Sequence, residues 1–541
     1  MSGLPTEPPG SGTLFTGGRI QTLDAARPRA EALAVAAGRI LAVGSDDDLR
    51  SAFPRFRRKD LGGRVIFPGF TDAHIHLPAF GISLRRVELR RTRAIREAAE
   101  LVRSAAARAT PGEWIRGQGW DQNVWAEDRF PTREDLDAAA PSHPVILSSK
   151  DGHLLWVNSV VLRAAGIDRH TPDPPGGAIA RDARGEPTGL LTETAKELVW
   201  RAVPEVGPDV VDAGIIEAQR VVHRLGITGI HTFTGTAGYD GPPTFAAFQR
   251  LQARGELRLR VWMAVPEQAL DHARDIGLRT GFGDEWLRVG PVKIFADGTL
   301  GSQTAAMLEP FEGQPGNTGI AIHTREELIA LVGRAVNSGF WCAIHAIGDR
   351  ANRWVLDAYE AHRDASTALR ARHRIEHVQV VHPDDLPRLA RLGVIASMQP
   401  IHATSDRDIA DRYWGARSRT AYAWRSLVRL GTALTFGSDA PVETPDVFQG
   451  LYAAVTRKRA EEPARPPWYP AEALGIEEAL RAYTTGGAFA SGQEAVQGRL
   501  ADGCGADFVA LDRDLVTVPA GELLGTKVEL TVVGGDVVYE G

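Results

Sequence analysis

The sequence predicts an α/β fold: a (β/α)8, TIM-like barrel, a small β-sandwich built from both chain ends, and an insertion subdomain after the first barrel strand. Three observations carry this. Eight short apolar runs with β character recur between residues 65 and 439 and alternate with amphipathic stretches, the pattern of βα units around a parallel sheet. Both chain ends instead hold short β-like segments broken by Gly and Asp turns. The gap from about 78 to 220 is far too long for one βα connection and must carry structure of its own.

Taken in order, residues 1–12 are rich in Pro and Gly and read as a flexible tail. Segments 13–16, 32–35 and 39–44 supply the first part of the β-sandwich, residues 13–67. Segments 506–511 and 528–533, the latter followed by the turn Gly534-Gly535-Asp536, supply its second part within 490–541. The barrel takes 68–489. Its predicted strands are 65–71, 227–233, 259–265, 289–295, 341–346, 374–378, 394–398 and 433–439, the number that closes a parallel barrel. Helices are expected between most of them, for example over 325–338 and 384–392. The insertion, 78–220, includes a strand-like 144–148.

With 541 residues the chain can bury a large core and several structural units. Its 43% hydrophobic and 24% charged residues match a soluble globular protein. A net charge of −6, well mixed, argues against a nucleic-acid or anionic-membrane surface. No apolar run approaches the roughly 18 residues of a transmembrane helix, and no secretory h-region is visible. Only Cys342 and Cys504 occur, which excludes a disulfide framework and suits a reducing compartment. These features read as a cytoplasmic enzyme with a small-molecule substrate, and neither a nucleic acid nor a membrane as partner.

The chemistry begins at Phe67-Pro68-Gly69-Phe70-Thr71-Asp72-Ala73-His74-Ile75-His76. Histidines spaced i, i+2 on a strand put both rings on one face, and two neutral imidazoles at a strand end make half of a metal site. Catalytic residues of a parallel barrel collect at the C-terminal ends of its strands. Reading those ends adds Lys293 on the fourth strand, His345 on the fifth, His377 on the sixth and Asp439 at the end of the eighth. Singly, each has a plain alternative: a hydrogen-bonded core histidine, or an aspartate capping a helix. Six such residues in register on one barrel face form a metal-ligand set. Lys293 is notable because the chain has six lysines, one of them in an apolar strand. A buried ammonium is costly unless paired or neutral. Its alternatives are an ion pair with Asp297 or, as a neutral amine, reaction with carbon dioxide to give a carbamate able to bridge two metals.

Several stretches together resemble the metal-dependent amidohydrolase superfamily and its amidohydrolase-3, YtcJ-like branch, which includes formamide-deformylase-like members. They are the 68–76 run; Ser149-Lys150-Asp151-Gly152-His153 with Trp156-Val157-Asn158-Ser159; Val292-Lys293-Ile294-Phe295-Ala296-Asp297-Gly298 with Gly301-Ser302; His345-Ala346-Ile347-Gly348-Asp349; Arg374-Ile375-Glu376-His377; and Gly437-Ser438-Asp439-Ala440-Pro441. The resemblance covers nearly the whole chain. It implies that His74, His76 and Asp439 hold one metal, His345 and His377 a second, and carboxylated Lys293 bridges them. One departure is Gly503-Cys504-Gly505-Ala506-Asp507, where such proteins commonly read Gly-Lys-x-Ala-Asp.

Mixed His and carboxylate ligands suit a divalent metal, zinc first, as one or two ions. Such an ion lowers the pKa of water to about 7 and polarises a carbonyl, and Asp439 is the expected proton shuttle. Trp120, Lys150 and His153 of the insertion, with Gln399 and His402 after the seventh strand, are the expected substrate-facing residues. The resemblance points to hydrolysis of a non-peptide C–N bond in a small, largely apolar amide, such as an N-substituted formamide or N-acyl amine. It also suggests a homodimer. A mononuclear deaminase or cyclic amidase, which needs no strand-four lysine, is the alternative reading. A silent binding protein would have lost a ligand.

Overall fold

In the computed structural model the described residues are 12–541 apart from 90, 123–124, 128, 150–153, 175–176, 205, 234–241 and 302. They form two compact units, one running up to Gly81 and resuming over Val211–Gly541, the other Ile82–Val210.

The first unit contains the barrel. Its strands are Phe70–Ile75, Ile227–Thr232, Arg260–Pro266, Leu287–Phe295, Cys342–Ala346, Arg374–His377, Ile395–Met398 and Leu434–Phe436, hydrogen-bonded side by side in chain order. Every ladder in this sheet is parallel, and the strands are buried nearly throughout, as expected of a sheet covered on both faces. The circle closes just beyond the ladder. The N–H of Asp439 donates to the carbonyl of His74 at 2.6 Å, and that of His76 to the carbonyl of Ala440 at 2.9 Å. Closure needs the small residue at 437: a Cβ there would lie 2.4 Å from the backbone nitrogen of His74.

The predicted first strand, 65–71, is corrected. Val65–Pro68 belongs to the terminal β-sandwich, pairing with Phe508–Leu511 and Arg19–Gln21, and the barrel strand starts at Phe70. The chain crosses between the two sheets at Gly69, where a Cβ would fall 2.2 Å from the Thr228 hydroxyl. An apolar run that serves two sheets in succession looks like one strand in the sequence, because both halves are largely buried.

Both chain ends form the sandwich. A six-stranded sheet joins three adjacent C-terminal strands to Val65–Pro68, Arg19–Gln21 and Arg29–Ala30, and a four-stranded sheet is built from residues 13–60. Phe15, Leu33, Ile40, Ile66, Phe508, Leu530 and Val532 fill the space between, with Phe15 and Phe508 edge to face at 5.0 Å. Cys504, at the departure from the family pattern, is one of these buried side chains. Helix signals in the sequence also hold. Arg325–Asn337 starts with Thr324 and Glu327 in a reciprocal capping box and buries Leu328, Val332 and Val336. Leu386–Leu392 stops at Gly393, whose φ of 66° ends a helix at little cost.

The second unit, Ile82–Val210, lies within the predicted insertion 78–220, whose two ends fall in the first unit, and is built on a six-stranded mixed sheet with a core of its own. Trp120, Trp125 and Trp156 pack against one another there, at centroid distances between 5.7 and 6.2 Å. Trp120 has no exposed surface and donates its indole N–H to the Leu147 carbonyl, so its place is in this core. Among the described residues no helix is long and apolar enough to cross a membrane.

Candidate metal centre

The barrel's closing seam brings His74, His76 and Asp439 together, and the neighbouring strand ends add His345, His377 and Lys293. Ligand-type atoms of His74, His377 and Asp439 all lie within 4.8 Å of one another. Oδ1 of Asp439 is 3.2 Å from Nε2 of His76 and 3.5 Å from Nε2 of His74. The His377 ring stands 4.6 Å from that of His345 and 4.9 Å from that of His74.

Each imidazole has one nitrogen anchored, which decides what the other presents. Nδ1 of His74 donates to the Glu376 carboxylate at 2.6 Å, and Nδ1 of His76 to the Phe233 carbonyl at 3.0 Å. Nδ1 of His377 donates to Oε1 of Gln399 at 2.9 Å, and Nε2 of His345 to the Gly298 carbonyl at 3.0 Å. These partners only accept, so the protons sit on the anchored nitrogens. Nε2 of His74 and His377, and Nδ1 of His345, are left as lone-pair donors, while Nε2 of His76 meets Oδ1 of Asp439. An accepting partner on the far nitrogen is the arrangement that orients a metal-binding histidine.

Electrostatics agree. Burial lowers His74 to about 4 and His345 to about 3, and drives His377 well below its ordinary value, so these imidazoles are neutral at pH 7. Burial works against the Asp439 carboxylate, yet the hydrogen bond from His76 and the imidazoles of His74 and His377 hold it well below the usual range. Neutral imidazoles beside an ionised carboxylate are what a divalent cation needs. The backbone is strained at the centre: φ is 76° at His377, 46° at Val378 and 61° at Asp439, conformations costing on the order of 1–3 kcal/mol each for residues other than glycine.

Lys293 is buried in the fourth strand, and burial lowers its ammonium to about 8. Its Nζ lies 5.0 Å from the Phe233 ring centroid and 4.6 Å from that of Phe295. Among the described residues no ion pair holds it. The expected alternative partner, Asp297, instead accepts the N–H groups of Ala306, Ile347 and Gly348.

Three residues that support the site were not singled out from the sequence. Glu376, which anchors His74, is held in turn by Arg374, which donates to both its oxygens. Burial alone would raise the Glu376 carboxyl, but the Arg374 charge and the His74 hydrogen bond keep it well below the usual range. Arg374 also donates to the Ala73 carbonyl, to Ser397 and to Nδ1 of His231, so one guanidinium ties several barrel strands beneath the centre. Asp72 accepts from the backbone and hydroxyl of Ser438 and from the His74 N–H, fixing Asp439 against the first strand. The available signal was the one that exposed Lys293: charged residues inside apolar strands.

Of the expected substrate-facing residues, Lys150 and His153 lie outside the described residues. Gln399 is fully buried, with its amide oxygen on His377. His402 reaches the centre, its Nε2 3.8 Å from Oδ2 of Asp439.

The buried histidines also set a pH dependence. His223 is lowered to about 4, His373 to about 3 and His231 well below its ordinary value, each chiefly by burial, alongside His74, His345 and His377. Between pH 6.5 and about 4 they are protonated in the unfolded chain and neutral in the native one, so stability falls as pH falls. A histidine moved from 6.5 to about 4 contributes about 3 kcal/mol to that fall. Asp72 and Asp297, raised to about 7 by burial, and Asp349 and Asp406, raised in the same direction by burial, oppose it, because the native state keeps their protons as pH rises above 3.8. Four opposing groups do not offset six. Chelator-treated protein is therefore expected to show urea midpoints that drop steadily from pH 6.5 to 4; a flat or rising midpoint overturns this.

Comparison with known proteins agrees with this geometry. A model of the amidohydrolase family matches residues 59–539, and one of the bacterial imidazolonepropionase-like composite domain matches 32–55. The chain is 34% identical to the putative amidohydrolase YtcJ of Bacillus subtilis (strain 168), over 97% of this chain and 99% of that protein. It is 31% identical to the N-substituted formamide deformylase of Arthrobacter pascens, over 96% of this chain and 97% of that protein. An uncharacterized metal-dependent hydrolase from Pyrococcus horikoshii OT3 has a similar solved structure, with a TM-score of 0.79 and 28% identity over 94% of this chain and 99% of that one. With the family model matched over residues 59–539 and His74, His377 and Asp439 gathered at the strand ends, the chain belongs to the amidohydrolase family and is a metal-dependent amidohydrolase.

Proposed function

We propose that this enzyme hydrolyses the C–N bond of small, largely apolar amides, N-substituted formamides and N-acyl amines first among them, with Asp439 as proton shuttle. The observation that carries this reading is the ionised Asp439 carboxylate, its Oδ1 3.5 Å from Nε2 of the neutral His74 and 3.2 Å from Nε2 of His76. His74, His76 and Asp439 would hold one divalent ion, with zinc best suited to mixed His and carboxylate donors, and His345 and His377 a second. When bound, the ion supplies polarisation of a carbonyl and a lowered pKa for water. Asp439 takes a proton from the attacking water and hands it to the leaving nitrogen, so that amide and water become carboxylic acid and amine. Lys293 supports the two-ion form. A buried amine with a lowered pKa attacks carbon dioxide as the free base, loses a proton and becomes a carbamate whose two oxygens would bridge. The formyl preference draws on the name of the Arthrobacter pascens relative. The family resemblance adds a homodimer, and the chain's two cysteines suit a reducing, cytoplasmic compartment.

A second reading, a mononuclear deaminase or cyclic amidase, is favoured by one detail: the tightest donor cluster, His74, His377 and Asp439, mixes the two expected ligand sets. Metal content per chain, by plasma mass spectrometry on protein purified without chelator, separates the two. About two equivalents, falling to about one or fewer in Lys293→Met, is expected for the bridged site. One equivalent in both proteins moves the single-ion reading to the front. Failure of metal-replete enzyme to turn over any formamide or N-acyl amine overturns the proposed substrate class.

A further inference from the structure

His402 differs from the four imidazoles of the centre. Each of those has one nitrogen anchored by a protein acceptor. His402 is only 8% exposed, yet both of its ring nitrogens are buried without a hydrogen-bond partner among the described residues. It lies in the helix Pro400–Ser405, directly after the seventh barrel strand. Its ring is nearly parallel to that of His377, 21° apart with centroids 6.1 Å apart. Asp406, the next carboxylate along the chain, is taken by the Tyr422 hydroxyl at 2.6 Å. His402 is therefore neither set up as a metal ligand nor tied into the scaffold.

Its position divides the two oxygens of Asp439. Oδ1 faces the Nε2 atoms of His74 and His76, while Oδ2 faces Nε2 of His402 at 3.8 Å, too far for a direct hydrogen bond. A buried polar atom with no partner is unfavourable unless something polar meets it, and here what meets it must also lie beside the outer oxygen of the proton shuttle. In an amide hydrolysis the atom that receives a proton from that oxygen is the leaving nitrogen. While the C–N bond is breaking, that nitrogen has one lone pair to take the proton. In a secondary amide it also has one N–H to give. His402 offers an acceptor at the matching place.

We propose that Nε2 of His402 accepts the N–H of the scissile amide. It thereby turns the nitrogen lone pair towards Oδ2 of Asp439, and it selects amides whose leaving nitrogen carries a hydrogen over N,N-disubstituted ones. The proposal rests on the amide-hydrolysis reading above. A site that accepts a substrate N–H rejects the analogue lacking it far more strongly than a site that only accommodates an extra methyl, because the buried acceptor is then left unpaired.

The test compares N-cyclohexylformamide with N-cyclohexyl-N-methylformamide in wild type, His402→Leu and His402→Gln, each with its metal content measured. Wild type is expected to prefer the secondary amide by at least about 10²-fold in kcat/KM. His402→Leu is expected to lose that preference to within a few fold, through a fall on the secondary amide alone. His402→Gln, which keeps an acceptor, is expected to restore part of it. The ratio is insensitive to the fraction of folded enzyme. A wild-type enzyme without preference, or a parallel fall on both substrates in His402→Leu, overturns the proposal. Calorimetry with the unreactive N-cyclohexylmethanesulfonamide and its N-methyl derivative reads the same contact without turnover. Tighter binding of the N–H compound by wild type and equal binding by His402→Leu are expected, and equal binding by wild type overturns the proposal. If no amide is hydrolysed but that binding difference is present, the amide-hydrolysis reading fails while His402 keeps its N–H-accepting role.

Discussion

Asp439→Asn is expected to lower kcat by about 10²–10⁴-fold, the range of a lost general acid–base group, while much of the bound metal is retained. The argument follows from the carboxylate's place. Its Oδ1 lies nearest Nε2 of His74 and His76 and its Oδ2 nearest Nε2 of His402, so one oxygen can bind an ion while the other moves a proton. Asparagine keeps the size and one oxygen, and with them the closing backbone bond from residue 439 to the His74 carbonyl. What it loses is the negative charge and the capacity to take a proton. Stopped or burst kinetics on a formamide, alongside metal content, read both quantities. Near-normal turnover would remove Asp439 from the mechanism, and loss of all metal would make it a ligand first and a shuttle second.

Arg374→Met is expected to cost 3–5 kcal/mol of stability, because removing one partner of a buried ion pair leaves the other charge uncompensated. Neither Arg374 nor Glu376 has any exposed surface. The guanidinium donates to both oxygens of Glu376 and also holds Ala73, Ser397 and His231, so the methionine variant leaves several buried acceptors unpaired. Through Glu376 the loss reaches His74, and metal affinity is expected to weaken about 10–100-fold, the usual effect of removing a partner behind a metal-binding histidine. Denaturant unfolding of metal-free protein and metal titration measure the two effects separately. The double variant Arg374→Met with Glu376→Leu is the sharper comparison. Replacing both charges by apolar groups is often near neutral for stability, so this protein should recover much of its midpoint and still bind metal poorly. A wild-type midpoint for Arg374→Met alone, or undiminished metal affinity in the double variant, overturns this account.

How far the sequence carries differs from element to element. Helix Arg325–Asn337 was readable because its cap, Thr324 with Glu327, and its apolar face all lie within one segment. The first barrel strand was misjudged because Val65–Pro68 and Phe70–Ile75 are both largely buried, and their pairing partners tell them apart. Trp120 shows the same limit. An aromatic residue in an insertion has the same local signature whether it faces a substrate or a core, and here it packs with Trp125 and Trp156.

At the centre, the sequence by itself determined which residue types stand at the barrel's strand ends. Eight apolar runs in chain order make a parallel barrel, its catalytic face is set by strand direction, and His74, His76, Lys293, His345, His377 and Asp439 fall on that face by position alone. Only the tertiary structure decided what each can do there. The nitrogen that His74 presents depends on Glu376, 302 residues away, and the charge of Glu376 depends on Arg374. The free nitrogens of His402 show only once every neighbouring strand is in place. Hydrogen-bond direction and burial are properties of atoms brought together from distant parts of the chain, and no local pattern of residues encodes them.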